Sequence, residues 1–202
     1  MLSATEGTTA VQFARKTVAS TVQHQMHATQ NLTKIFQEKH GVFVTLHTHP
    51  NNELRGCIGI PYPELRLKDA LIEAARSVTH DPRFPPLEPE ELDHIIVEVT
   101  ILSSPKPVTA DSPREYLSKI QVGRDGLIVE QGIRKGLLLP QVPVEEDWDV
   151  ETFLGYTCMK AGLSADAWVM PNTKIYSFTG QIFTEQTPNG PIQEKHLNGT
   201  VH

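Results

Sequence analysis

Leu54-Arg55-Gly56-Cys57-Ile58-Gly59-Ile60 places a thiol and a guanidinium between two glycines inside an apolar run. Pro61-Tyr62-Pro63 stops the run, a polar loop from His47 to Glu53 precedes it, and Val42 to Leu46 before that loop is β-branched and aromatic. Two such segments joined by a loop read as a β-hairpin with a long connection. In an extended segment side chains alternate, so Leu54, Gly56 and Ile58 share one face and Arg55, Cys57 and Gly59 the other. Glycine inside a strand marks a bulge or a backbone left bare for close approach. Arg55 and Cys57 then stand about 7 Å apart on one side, and a nearby fixed positive charge favours the thiolate. Free cysteine is also among the most buried residue types. Two readings of this face therefore stand, inert packing and a functional site.

Upstream, Val11, Ala14, Val18 and Val22 recur at helical steps, a first helix that Thr8 or Thr9 can cap. It frays into a polar stretch containing His24 and His27, after which Leu32 to Lys39 reads as a short helix stopped at Gly41. Downstream, Leu67, Ala70, Leu71, Ala74, Ala75 and Val78 form one stripe, so this helix is expected to lie on the sheet. A loop from Asp81 to Pro86, a turn of helix at Glu88 to Glu91 and a strong strand from Ile95 to Leu102 follow. Glu98 sits in that strand among residues of half-buried character, so it faces solvent or meets a cation such as Arg55 or Arg83.

Ser104-Pro105-Lys106-Pro107 reads as a linker, with a subdomain boundary near 103–108. Beyond it are a short helix at Pro113 to Lys119, a turn at Gly123 to Gly126, and a hairpin of Leu127 to Glu130 with Ile133 to Leu139. A helix from Val150 to Ala161, ended by Gly162, keeps Cys158 in the core, and Lys174 to Glu185 alternates as a final strand. The reading is an α/β (α+β) domain over residues 1–185, with two unequal subdomains around a mixed, largely antiparallel sheet flanked by helices. Cys57 is expected to line the cleft between them, and residues 186–202 to form a flexible C-terminal tail.

The formal charge of −6 offers no basic excess to release counterions from a phosphate backbone, so no nucleic-acid partner is expected. No apolar stretch approaches the ~20 residues of a spanning helix, and Met1 to Thr9 lacks a secretory signal. The expectation is a cytoplasmic protein, free of the membrane, whose two cysteines stay reduced. Hydrolase elbow, phosphate-binding, dinucleotide-binding, C-x-x-C and H-E-x-x-H patterns are absent from the sequence. His47 and His49 with Cys57 sketch a zinc site, but histidines of a solvated loop are the commoner case, so no metal and no cofactor are assigned.

The hexapeptide LRGCIG at 54–59 resembles the signature of the AMMECR family, named for the Alport syndrome, midface hypoplasia and elliptocytosis chromosomal region protein. The resemblance extends to Gly41-Val42-Phe43-Val44-Thr45-Leu46, Asp81-Pro82-Arg83-Phe84-Pro85-Pro86-Leu87, Gly126-Leu127-Ile128-Val129 and Gly136-Leu137-Leu138-Leu139-Pro140-Gln141-Val142. Phe153-Leu154 and Cys158-Met159-Lys160-Ala161-Gly162-Leu163 continue it, so that it covers roughly residues 10 to 185. It implies a context: prokaryotic members occur with a Memo-like protein and a radical S-adenosylmethionine enzyme. The candidate site has Cys57 as nucleophile or thiolate ligand, Arg55 and Arg83 as anion-binding or thiolate-stabilising groups, Gly56 and Gly59 as bare backbone, and Glu98 and Gln141 as polar walls. No base for Cys57 is identified, His80 and His49 being candidates that the family pattern does not support, while Asp81 and Phe84 read as a turn former and a core plug. Two functions follow. One is an enzyme with a cysteine-centred cleft acting on a small molecule or a modified substrate. The other is a non-catalytic binding or adaptor module that uses the LRGCIG face for a partner.

Overall fold

The computed structural model describes residues 1–25 and 32–195; His27 and the end of the chain from 196 lie outside them. Helix α1 (Ala4–Val22) begins at Ser3, earlier than a threonine cap at position 8 or 9. The Ser3 hydroxyl accepts from the Glu6 N–H and the Glu6 carboxylate accepts from the Ser3 N–H at 2.9 Å. Thr8 and Thr9 lie inside the helix and donate back to the carbonyls of Ala4 and Thr5. The signal for this start was Ser-x-x-Glu, a capping box.

A short 3-10 turn, Lys34–Gln37, replaces the expected second helix. Strand β1 (Gly41–Thr48) follows and pairs antiparallel with β2 (Leu54–Ile60). Helix α2 (Leu67–Ser77) buries Leu67, Ala70, Leu71, Ala74 and Ala75, the stripe read from the sequence. Two 3-10 turns, Val78–His80 and Pro89–His94, lead into β3 (Ile95–Leu102), which pairs antiparallel with the other side of β1. Val42, Val44 and Leu46 of β1 and Val97, Val99 and Ile101 of β3 share one buried cluster with α1 and α2. Their alternate neighbours, among them Thr45 and Glu98, therefore point to the opposite face of the sheet.

The chain then builds β4 (Lys106–Pro107), α3 (Pro113–Lys119), β5 (Gly126–Gln131), β6 (Arg134–Leu138), α4 (Val142–Glu145), α5 (Val150–Lys160) and β7 (Lys174–Phe178). These strands form a second, antiparallel sheet in the order β4-β7-β5-β6. Its core joins Leu127, Val129 and Ile175 to Phe153, Leu154 and Cys158 of α5. Asp149 caps α5 by accepting from the Thr152 N–H at 2.8 Å, and Gly162, at φ +72°, ends it in the left-handed conformation.

Lys174 to Glu185 is two strands rather than one. β7 belongs to the second sheet, whereas β8 (Gly180–Glu185) lies beside β3 in the first, whose order is β2-β1-β3-β8 followed by β9 (Ile192–Lys195). The break falls at Thr179, whose N–H and C=O are both bonded to Ser103. Within the stretch expected to trail as a tail, Ile192–Lys195 forms β9, antiparallel to β8. The α+β class with antiparallel strands flanked by helices holds, the strands being shared between two sheets. The chain divides into one unit of Met1–Leu102 completed by the segment returning at Gln181, and a second of Ser103–Gly180.

Candidate functional site

Cys57 lies on β2, the edge strand of the first sheet. Thr45 is opposite Cys57 in one register and opposite Glu98 in the other, so Cys57, Thr45 and Glu98 form a row across three strands. The Thr45 hydroxyl donates to the Cys57 sulfur at 3.4 Å. Glu98, only 8% exposed, meets Lys195 of β9 at 3.5 Å rather than Arg55 or Arg83.

The main chain of Cys57 bonds away from β1. Its N–H donates to Asp81 Oδ2 at 2.9 Å, and its carbonyl accepts from Arg83 Nη2 at 3.0 Å. Asp81 in turn accepts from Arg83 Nε at 3.0 Å, from Nη2 at 2.7 Å and from the Arg83 N–H at 3.1 Å. One carboxylate and one guanidinium thus satisfy both groups that an edge residue would otherwise present to another strand. Asp81 is 2% exposed, and its bonds to the Arg83 guanidinium hold its carboxyl far below the usual carboxylate range. The turn-forming reading of Asp81 is right as far as it goes, since Asp81 also closes the sheet.

Arg55 does not serve the thiol. Its Nε and Nη2 form a fork on the Glu91 carboxylate at 2.7 and 2.9 Å, and this charge lowers the Glu91 pKa. Phe84 is half-buried rather than a core plug; the guanidiniums of Arg55 and Arg83 stand 6.0 and 5.7 Å from its ring centre, within cation–π range. Leu87, three residues on, is the core residue of this loop.

Neither glycine of the motif is bare. A Cβ at Gly56 would lie 3.1 Å from both the carbonyl oxygen and Cγ2 of Val78, in the turn that delivers Asp81. At Gly59 it would enter the Phe43 ring at 2.3 Å, Phe43 being its cross-strand neighbour.

Burial is the largest influence on the Cys57 thiol and pushes its pKa up, and Asp81 and Glu98 add to the rise. The Thr45 hydroxyl and the Arg83 charge pull the other way without overcoming it. His80 shares a 2.8 Å contact with the Thr79 hydroxyl. Among the described residues no three His, Cys, Asp or Glu side chains converge on a metal position, so the sketched set of His47, His49 and Cys57 is not formed. Gln141 belongs to the second unit, just ahead of α4, and its Oε1 is buried without a hydrogen-bond partner among the described residues. Thr45, Asp81 and Arg83, the groups bonded to Cys57, all come from the first.

Sequence reasoning missed Thr45, Glu91 and Lys195. Thr45 becomes visible only once the strand register is known, and the other two come from segments that carry no pattern pointing to Cys57. Among the described residues, concavities of about 540 and 560 Å³ lie in the second unit along α5, and no residue of the motif lines either.

These features define an α+β protein whose cysteine motif is an edge strand closed by an ion pair. The chain belongs to the AMMECR1 family, whose model matches residues 11–183. It is 51% identical to Protein MJ0810 of Methanocaldococcus jannaschii over 198 residues, 98% of either chain. It is 50% identical to a Methanococcus aeolicus protein over 96% of this chain and 98% of that one. The crystal structure of PH0010 from Pyrococcus horikoshii is similar at a TM-score of 0.86 and 46% identity, covering 97% of this chain and 99% of that one. No helix among the described residues is long and apolar enough to cross a membrane.

Proposed function

We propose that this protein is a non-catalytic binding or adaptor module, working in the cytoplasm beside the Memo-like and radical S-adenosylmethionine proteins that the family resemblance implies. The observation that carries the reading is the consumption of the LRGCIG groups by the fold itself. Arg55 is spent on Glu91, the Cys57 peptide on Asp81 and Arg83, and the two glycines on Val78 and Phe43. A nucleophilic cysteine needs a thiolate or an adjacent base, whereas burial drives this thiol toward its neutral form.

The competing reading is the cysteine enzyme, favoured by the Thr45 hydroxyl and the Arg83 charge, both of which stabilise a thiolate at Cys57. The pH dependence of iodoacetamide alkylation, read at Cys57 by peptide mass spectrometry on the folded protein, separates the two. Cys158 is an internal control for unfolding, because burial raises its pKa to about 11 and leaves it 0% exposed. The expected result is a half-maximal rate at or above pH ~8.5, the ordinary thiol value. A midpoint well below that value would overturn the binding-module reading and return Cys57 to catalysis.

A further inference from the structure

The second unit carries an apolar surface that its own core does not use. Tyr156, Met159 and Val169 are 45%, 54% and 40% exposed, and with Gly155 of α5 they line the 540 Å³ concavity. Next to it is the 560 Å³ concavity, where Leu117, Val144 and Trp148 supply apolar walls. Both hollows share Asp149, and the Trp148 and Tyr156 rings stack between them at 4.1 Å with an interplanar angle of 7°. Contiguous exposed apolar surface of this kind marks an interaction site, and unbranched methionine suits a surface that adapts to its occupant.

The charged residues that line it have one sign. Asp149, Glu151 and Asp166 rim the first hollow and Asp147 the second, while among the described residues neither lining contains Lys or Arg. Glu145 and Glu146, both exposed, precede them in the chain. An acidic rim around an apolar floor repels anionic partners and steers cationic ones. Among the described residues no three of these carboxylates converge on a metal position, so a simple small cation is not the occupant. The stretch of α5 from Asp149 to Met159 rises about 15 Å, the reach of four or five extended residues or of nearly three helical turns.

We infer that this groove receives a cationic, apolar-anchored segment of a partner protein, with Leu- or Met-like side chains against Tyr156, Met159 and Val169 and Lys or Arg against Glu151 and Asp166. The inference rests on the binding-module reading and locates that binding in the second unit.

The test is a fluorescence titration of the intact protein, reporting through Trp148 and Trp168, with three synthetic peptides of equal length. One is an amphipathic helix with Leu at i, i+3, i+4 and i+7 and Lys elsewhere, one has the same composition with its Leu positions dispersed, and one has Glu in place of Lys. Saturable binding of the first is expected, about tenfold tighter than of the other two, and weakening as salt rises from about 0.05 to about 0.5 M. Asp166→Lys combined with Met159→Glu, both exposed positions, is expected to weaken it at least about tenfold, whereas Glu90→Lys in the first unit leaves it unchanged. Equal binding of the dispersed peptide would reduce the effect to charge attraction and overturn the inference, as would binding of the Glu peptide or indifference to the groove variants. Concentration-dependent dimerisation lost in Met159→Glu would overturn it in favour of a second copy as occupant. The alkylation profile of Cys57 is independent of these outcomes, so an unoccupied groove with a neutral thiol refutes the location and spares the binding-module reading.

Discussion

Cys57 is fixed through its peptide more firmly than through its side chain. Replacing Cys57 by Ser is therefore expected to keep the fold and to change stability by about 1 kcal/mol or less, measured by urea denaturation with circular dichroism. Asp81 is the residue on which the arrangement depends. Asp81→Asn removes the charge-assisted acceptor of the Cys57 N–H and of the Arg83 fork, at a cost of about 2 kcal/mol. The carboxyl of Asp81 lies lower in the folded state than its unfolded value of about 3.9. Its contribution is thus complete at neutral pH and fades as pH falls below about 4. The urea midpoint of the parent protein is expected to drop between pH 7 and pH 3 by more than that of Asp81→Asn; equal drops would refute the assignment. The face shared by Arg55 and Cys57 was legible from strand alternation. Their partners were not, because Asp81 and Glu91 lie 24 and 36 positions away in loop and turn, where no periodicity records spatial neighbours.

Some elements were legible: β2 and β3 occupy the stretches expected from sequence, and α3 falls where a short helix was expected. The failures have physical causes. The start of α1 was set by a side-chain cap that overrides the apolar pattern, and the single strand expected from Lys174 to Glu185 ignored a broken alternation: buried Ile175 and Phe178 fall on opposite parities and Gly180 follows the change of sheet at Thr179. Glycines decide how closely elements pack, and their costs should differ by what they face. A Cβ at Gly136 of β6 would lie 2.7 Å from the Thr157 carbonyl and 2.4 Å from the Ala161 nitrogen, backbone atoms of α5 and its end. At Gly59 the obstacle is the Phe43 ring, a half-buried side chain able to turn. Gly136→Ala is accordingly expected to cost about 3 kcal/mol and Gly59→Ala about 1 kcal/mol, a ranking that thermal unfolding of the two variants checks.

Over the whole molecule, the second unit is an insertion between two neighbouring strands of the first, β3 and β8. Sequence marked a change near Ser104-Pro105 but gave no sign that the chain comes back, since the return is a matter of strand pairing. The return is fastened by Glu185, 3% exposed, which forms a fork with Arg15 of α1 and accepts from the Val97 N–H of β3 at 2.9 Å. Arg15 also donates to the carbonyls of Leu92 and Ile95 at 2.9 and 2.7 Å. Glu185→Leu leaves a guanidinium buried without its counter-charge and is expected to destabilise by about 3 kcal/mol or more, seen as a lower urea midpoint. Arg15→Met with Glu185→Leu is expected to recover part of that loss.

This chain order also sets a timetable for synthesis. The open side of β3 emerges from the ribosome long before the residues that cover it. At translation rates of about 5–20 residues per second, the roughly 80 residues of the insertion take some 4–16 s. Through that interval a nascent chain carries a row of unpaired backbone donors and acceptors, the kind of edge that pairs with other chains. The insertion, already complete in sequence, is free to fold first, leaving the amino-terminal half to wait for Gln181 to Glu185 before its own sheet can close.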